Sequence, residues 1–189
     1  MRPTREKALE LLKEYTKTDA LITHALQVEA AMMEFAKMFG EDEELYGIVG
    51  LLHDIDYEKY PDEHLKVAPN ILRKNDIDED IIRAVLCHGY GMCTDIKPET
   101  NMEKSIYTVD ELTGIINACC LLRPSKSVLD LNLKSVNKKF KDKKFAAGCD
   151  REVILSGCEM LGIDKNEVIE HTIKGLQDRA EIVGLKGEL

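Results

Sequence analysis

The chain has 189 residues, of which 44% are hydrophobic and 32% charged, as is typical of a globular protein with one sizeable core. Its formal net charge of -9 argues against binding to DNA or RNA polymers, which requires a basic surface. The sequence starts without an apolar signal core and has no run long enough to cross a bilayer, so we expect a cytoplasmic protein without a membrane partner. The six cysteines form no CxxC pair, and free thiols are expected.

Nearly every segment has helical rather than strand periodicity, which predicts an all-α fold. The first predicted helix covers 4–15. The second covers 19–39, is apolar on most faces and ends before Gly40, a pattern typical of a central, largely buried helix. The remaining predicted helices cover 42–53, 62–74, 78–88, 102–122, 150–161 and 165–182.

Several local signals bear on where these helices begin and end. Pro69 is expected to break or kink the helix in which it lies. Asp150 and Asp164 precede the last two predicted helices and are suited to be their N-caps. The lysine-rich segment 124–149 fits either a helix or an ordered loop.

Four titratable residues lie within or at the end of apolar helical segments, where burial of a charge is costly: His24, His53, Asp54 and Asp110. Taken alone, His24 would be a hydrogen-bonded core histidine, and Asp110 would be a helix cap or a surface residue. Helices packed in a bundle can direct all four side chains to one interior point, and a divalent cation would explain that convergence. Imidazole and carboxylate ligands suit Mn, Fe, Zn, Ni or Mg, so the sequence predicts a metal site without distinguishing these ions.

This arrangement resembles the HD superfamily of metal-dependent phosphohydrolases, whose signature is H…HD…D. His24, then the pair His53 and Asp54 in "GLLHDID", then Asp110 in "YTVDELTG" match that signature in order and approximate spacing. The resemblance covers about residues 21–122. It implies that the protein is an enzyme with an all-α fold.

The resemblance also implies a domain organisation. We expect a compact, single-domain helical bundle over 1–189, with the metal-site core at about 21–122 and a C-terminal helical extension at 123–189. The segments "LTGII", "RPSKSV" and "FAAGCDRE" further resemble a subgroup of small bacterial or archaeal HD proteins described as predicted hydrolases.

Two further histidines bear on the number of metal ions. In subfamilies with two metals, histidines at the positions of His64 and His88 complete an H…HD…H…H…D set, which here implies a second ion with Asp54 bridging both. Alternatively, His64 is exposed at a polar helix start, and His88 is favoured at a helix C-terminus by the helix dipole. His171 matches no motif and is expected to be structural or exposed.

Two divalent ions would outweigh the charges of the two aspartates, and such a site favours the anionic oxygens of a phosphate ester. We therefore expect hydrolysis of a nucleotide or another small phosphorylated metabolite by metal-activated water. Asp54 and Asp56 are the candidate catalytic residues. Asp56 would orient a metal ligand, act as a base on the water, or simply cap the next turn. Arg123 and Lys126 are candidate substrate-binding residues that would contact the phosphate, unless this basic segment is only a solvated face.

Two alternatives share the same residues. Some superfamily members use a di-iron centre with this ligand set to activate oxygen, so a di-iron oxygenase is the first. A non-catalytic, nucleotide-binding regulatory module is the second. The sequence does not determine the substrate, the metal, the number of ions or the oligomeric state.

Overall fold

The computed structural model describes residues 1–189 and confirms the all-α prediction, with nine α-helices and no strand beyond one isolated bridge. The helices are, in chain order, α1 (Arg5–Tyr15), α2 (Asp19–Phe39), α3 (Glu43–Leu52), α4 (Ala68–Lys74), α5 (Glu79–Cys87), α6 (Asn101–Leu121), α7 (Leu133–Phe140), α8 (Arg151–Leu161) and α9 (Lys165–Asp178). Most of the predicted boundaries lie within one residue of these bounds.

The helix predicted over 62–74 is wrong in its first half. A short 3-10 helix (Pro61–Glu63) is followed by a turn, and α4 begins only at Ala68. Pro69 lies in the first turn of α4, where the missing N–H costs no hydrogen bond, so it starts this helix instead of breaking it. The prediction failed because the intervening turn holds Leu65 in the left-handed region, with φ of 64°, which no helical pattern indicates.

The lysine-rich segment contains one short helix, α7, flanked by ordered turns, and α9 ends four residues before the predicted 182. Both predicted N-caps are confirmed. The side chain of Asp150 accepts hydrogen bonds from the N–H groups of Glu152 and Val153, and that of Asp164 accepts one from Asn166.

Helix α2 is the centre of the fold and packs against α3, α6 and α9. Its two buried acidic residues are both paired, as buried charges must be. Glu29 forms a bidentate ion pair with Arg5 of α1. Glu34 accepts a hydrogen bond from Lys174, and its Oε1 atom lies 3.0 Å from Nδ1 of His171. His171 therefore connects α9 to α2.

The close approach of α3 to α2 depends on Gly50. A Cβ atom at this position would lie 2.8 Å from the backbone N and Cα of Glu29, closer than packed carbon atoms approach. Since His53 follows one turn after Gly50, this contact brings the end of α3 next to the helix that carries His24.

The buried apolar side chains form one continuous cluster that runs from Ala8 in α1 to Leu185 near the C-terminus. The helices outside 21–122 therefore share a core with the helices that carry the predicted metal ligands. All six cysteines are free thiols, as predicted. None of the helices combines the length and the apolar character needed to cross a membrane.

Candidate metal centre

The six predicted metal ligands come from five separate parts of the chain and meet in one place. Helix α2 supplies His24, the end of α3 supplies His53 and Asp54, the turn after the 3-10 helix supplies His64, the end of α5 supplies His88, and the middle of α6 supplies Asp110. The side chain of His53 has no exposed surface, and those of the other five are between 4% and 25% exposed.

One group of ligand atoms surrounds His53 Nε2. This atom lies 3.3 Å from His24 Nε2, 3.3 Å from Asp110 Oδ1 and 3.4 Å from Asp54 Oδ2. His24 Nε2 lies 2.9 Å from Asp110 Oδ1. Ligands bound to one ion at 2.0–2.2 Å are separated by about 3.0–3.5 Å, so these atoms already have the spacing of a coordination shell.

A second group lies on the other side of Asp54. Its Oδ1 atom is 3.4 Å from His64 Nε2 and 3.5 Å from His88 Nε2, and the two Nε2 atoms are 3.3 Å apart. Asp54 therefore directs one carboxylate oxygen to each group. Both groups have the composition and spacing that could hold a metal ion.

Hydrogen bonds to backbone carbonyls fix the orientation of two imidazole rings. Nδ1 of His53 is 2.7 Å from the carbonyl oxygen of Gly50, and Nδ1 of His88 is 2.6 Å from that of Val85. A carbonyl can only accept, so Nδ1 carries a proton in both rings, and Nε2 has a lone pair whenever the ring is neutral. A bond of this kind on the far nitrogen is the usual support of a metal-binding histidine.

His64 is positioned through Asp56. Of the three roles expected for Asp56, its contacts favour the orientation of a metal ligand and leave no free oxygen for a base on the water. Asp56 is completely buried, and both carboxylate oxygens are in use. Oδ1 is 2.8 Å from Nδ1 of His64, and Oδ2 accepts the N–H of Ala68 at 2.8 Å. Asp56 therefore orients a candidate ligand and ties it to the start of α4.

The turn after His64 packs directly on the turn after His88. The side chain of Leu65 covers Gly89 so closely that any Cβ at residue 89 would collide with it. Leu65 is buried and holds a left-handed φ of 64°, a conformation that is unfavourable for a residue with a branched side chain. The packing against Gly89 thus brings the two histidines together.

The charges of the cluster are arranged to keep its aspartates ionised. Burial works against the charged forms, yet Asp54 and Asp110 together raise the pKa of His53 well above its ordinary value. Burial also opposes ionisation of the two aspartates, but the neighbouring imidazoles, His53 foremost, hold the pKa of both carboxyls well below the usual range. The cluster therefore offers two carboxylates to a cation.

Glu111, one residue after Asp110, is a site residue that the sequence reasoning missed. Burial and then the charge of Asp110 raise the pKa of Glu111 to about 7, while its Oε2 atom accepts the N–H of Asp150 at 2.9 Å. The available signal was a second acid directly beside a predicted ligand in "VDEL".

Arg123 and Lys126 are not brought to this centre, which corrects the expectation that they contact the phosphate. They follow the C-terminal end of α6, and 11 residues separate Asp110 from Leu121, about 17 Å along a helix. Arg123 also forms a bidentate ion pair with Asp130, with its Nη2 atom 2.7 Å from Oδ2. The exposed Lys126 lies in the same turn.

Comparison with known proteins agrees with the geometry. The chain is 28% identical over 154 residues to a tRNA (cytidine(56)-2'-O)-methyltransferase from Picrophilus torridus; the aligned region covers 75% of this chain and 42% of that relative. The chain thus spans less than half the length of this relative. No solved structure matches the chain at a significant level. Residues 21–113 match the family model described as the HD domain. The chain therefore contains an HD domain, and proteins with this domain are typically metal-dependent hydrolases.

Proposed function

We propose that the protein is a phosphohydrolase that cleaves the phosphate ester of a nucleotide or another small phosphorylated metabolite. Its centre would hold two divalent ions. The first would be bound by His24, His53, Asp54 and Asp110, and the second by Asp54, His64 and His88.

The observation that carries this proposal is the convergence of imidazole lone pairs around Asp54. Nδ1 of His53 and of His88 each donates to a carbonyl, so their Nε2 lone pairs point inward, each with a second histidine Nε2 only 3.3 Å away. Two neutral rings would bring lone pairs together at this distance, and a proton or a metal ion between the nitrogens removes their repulsion. The donor set of imidazole nitrogens and carboxylate oxygens fits a divalent transition metal.

When bound, the ions would supply a water molecule of lowered pKa and positive charge for the phosphoryl oxygens. The residues of the chain would determine where the two ions bind. Asp54 joins the two halves of the centre, and Asp56 keeps the Nε2 atom of His64 available. In the net reaction, the oxygen of water bonds to phosphorus, the ester P–O bond breaks, and the leaving alcohol takes a proton.

Nucleotides are the first substrates to test. The relative from Picrophilus torridus is named for an action on tRNA, and the present chain is similar to only part of it. We therefore propose a panel of nucleoside monophosphates, bisphosphates and cyclic phosphates, together with simple sugar phosphates. Each would be assayed with Mn, Fe, Zn, Ni and Mg.

The decisive variants are His53→Gln and Asp54→Asn, with His171→Gln as the matched histidine control, since His171 contacts Glu34 and lies outside the centre. We expect at least about a thousandfold loss of kcat/KM in the first two, because each removes a ligand of the reacting centre. The control should keep its activity. Circular dichroism would establish that all three are folded, and hydrolysis that survives in both centre variants would refute the proposal.

The two alternatives predict different results with the same protein. A di-iron oxygenase would consume oxygen when loaded with iron and would hydrolyse none of the esters. A regulatory module would bind a nucleotide stoichiometrically and leave it intact.

A further inference from the structure

A cavity of about 650 Å³ lies beside the metal centre and has no part in the metal binding described above. Two of the residues that line it follow ligands in the chain: Glu111 comes one residue after Asp110, and Met92 comes four residues after His88. The opposite wall is formed by residues 140–152, outside the matched HD domain. This volume is typical of a site for a small ligand.

The opposite wall is built as an ordered structure around one arginine. The guanidinium of Arg151 directs all five N–H groups to backbone carbonyls of the last residue of α7 and of the loop between α7 and α8. The accepting residues are Phe140, Asp142, Phe145, Ala146 and Cys149. The N–H of Asp150 then donates to Glu111, which joins this loop to α6. The cavity is therefore preformed, and the charge of Arg151 is used for structure.

Two other cations remain free at the cavity. Lys141 and Lys143 are exposed, line it, and form neither an ion pair nor a side-chain hydrogen bond. They are therefore available to an anionic group of a ligand.

The rest of the lining suits a planar, partly polar group. Met92, Phe140 and Leu155 give apolar surface, and Met92 and Leu155 are 51% and 36% exposed. Glu111 accepts one N–H through Oε2, so its Oε1 atom is available to a hydroxyl or amino donor. A nucleoside offers both an aromatic face and such donors.

From this cavity we infer that the preferred substrate is a nucleotide with a second phosphate group, such as a nucleoside bisphosphate. This inference rests on the proposed phosphohydrolase function. The reacting phosphate lies at the metal centre, the nucleoside lies against Met92 and Leu155 and donates to Glu111, and the second phosphate contacts Lys141 and Lys143. The loop between α7 and α8 thus determines specificity.

The test is the equilibrium binding of adenosine 3',5'-bisphosphate and adenosine 5'-monophosphate to the metal-loaded protein, measured by calorimetry. Chromatography after each titration establishes whether the ligand is intact. The test variant is K141Q/K143Q. The matched control, K134Q/K138Q, removes the same charge from α7. Lys134 and Lys138 line a neighbouring groove that shares Lys141 with the cavity, and neither of them lines the cavity itself.

We expect the wild-type protein to bind the bisphosphate at least about tenfold more tightly than the monophosphate, and K141Q/K143Q to lose that preference. The control should keep it. Equal affinity for both ligands in the wild-type protein would overturn the inference. An equal loss in K134Q/K138Q would overturn it too and would indicate a longer polyanion, such as an RNA end, along the basic face of α7. Since binding is measured separately from turnover, bisphosphate preference without hydrolysis would refute only the proposed function.

Discussion

The pair formed by Asp56 and His64 gives the sharpest test of the centre, through the substitution Asp56→Asn. The wild-type carboxylate accepts two hydrogen bonds at 2.8 Å, one from the N–H of Ala68 and one from Nδ1 of His64. An asparagine can accept only through its oxygen. If that oxygen stays with the backbone N–H of Ala68, the NH₂ group faces Nδ1 of His64. The imidazole must then accept at Nδ1 and carry its proton on Nε2, where it blocks metal binding.

The expected loss of metal affinity follows from the role of Asp56 in orienting His64. Loss of a partner that orients a metal-binding histidine weakens metal affinity by about 10–100-fold, equivalent to about 1.4–2.8 kcal/mol. The effect should be confined to the ion held by His64 and His88, because the ring of His53 is fixed separately by Gly50. Loss of one charge-assisted hydrogen bond in a buried site should also reduce folding stability by about 1–3 kcal/mol.

Calorimetric titration of the metal-free protein with Mn²⁺ would resolve the two binding events. The wild-type protein should bind two ions, and D56N should bind one with unchanged affinity and the other about 10–100-fold more weakly. D62N is the matched control, since Asp62 is an exposed residue of the nearby 3-10 helix and its substitution changes the charge equally. Two ions bound by D56N with wild-type affinities would refute the tautomer argument.

Two further predictions concern stability. Removal of metal with a chelator should lower the melting temperature by about 5–11 °C, because an ion present at 100 times its Kd adds about 2.7 kcal/mol to a chain of this size; an unchanged melting curve would count against resident ions. The hydrogen bond from Arg2, assisted by the N–H of Leu45, lowers the pKa of Asp42 to about 2, so its contribution is fully present above about pH 4 and is lost as the pH falls through 2. Asp42 is half exposed, and the contribution is therefore under about 1 kcal/mol. Urea unfolding between pH 7 and 2.5 should show less acid sensitivity in D42N, and parallel curves for both proteins would contradict this assignment.

The fold and the position of the centre could be predicted because their causes are local. The apolar pattern of α2, the stop at Gly40 and the capping aspartates Asp150 and Asp164 all act within a few residues of the chain. The metal-ligand prediction used only the cost of burying polar groups on apolar helices and the resemblance of their order to the HD signature.

The sequence could not decide the roles of two site residues, because the answer depended on contacts between segments that are separated in the chain. Arg123 was a candidate for the phosphate, but its partner is Asp130 and the length of α6 separates it from Asp110. For Asp56 the sequence left three roles open, and the contact that helps to select the orientation of His64 is with the backbone of Ala68, twelve residues later. Neither contact has a periodic or motif signal.

The sequence by itself therefore determined that the protein is helical and which side chains cannot be buried without a partner. Both follow from periodicity and from the free energy of desolvation. Only the tertiary structure decided that Asp54 directs one oxygen to each histidine group, that Leu65 packs on Gly89 to bring His64 and His88 together, and that Arg151 builds a cavity wall next to Glu111. These arrangements depend on packing between segments far apart in the chain.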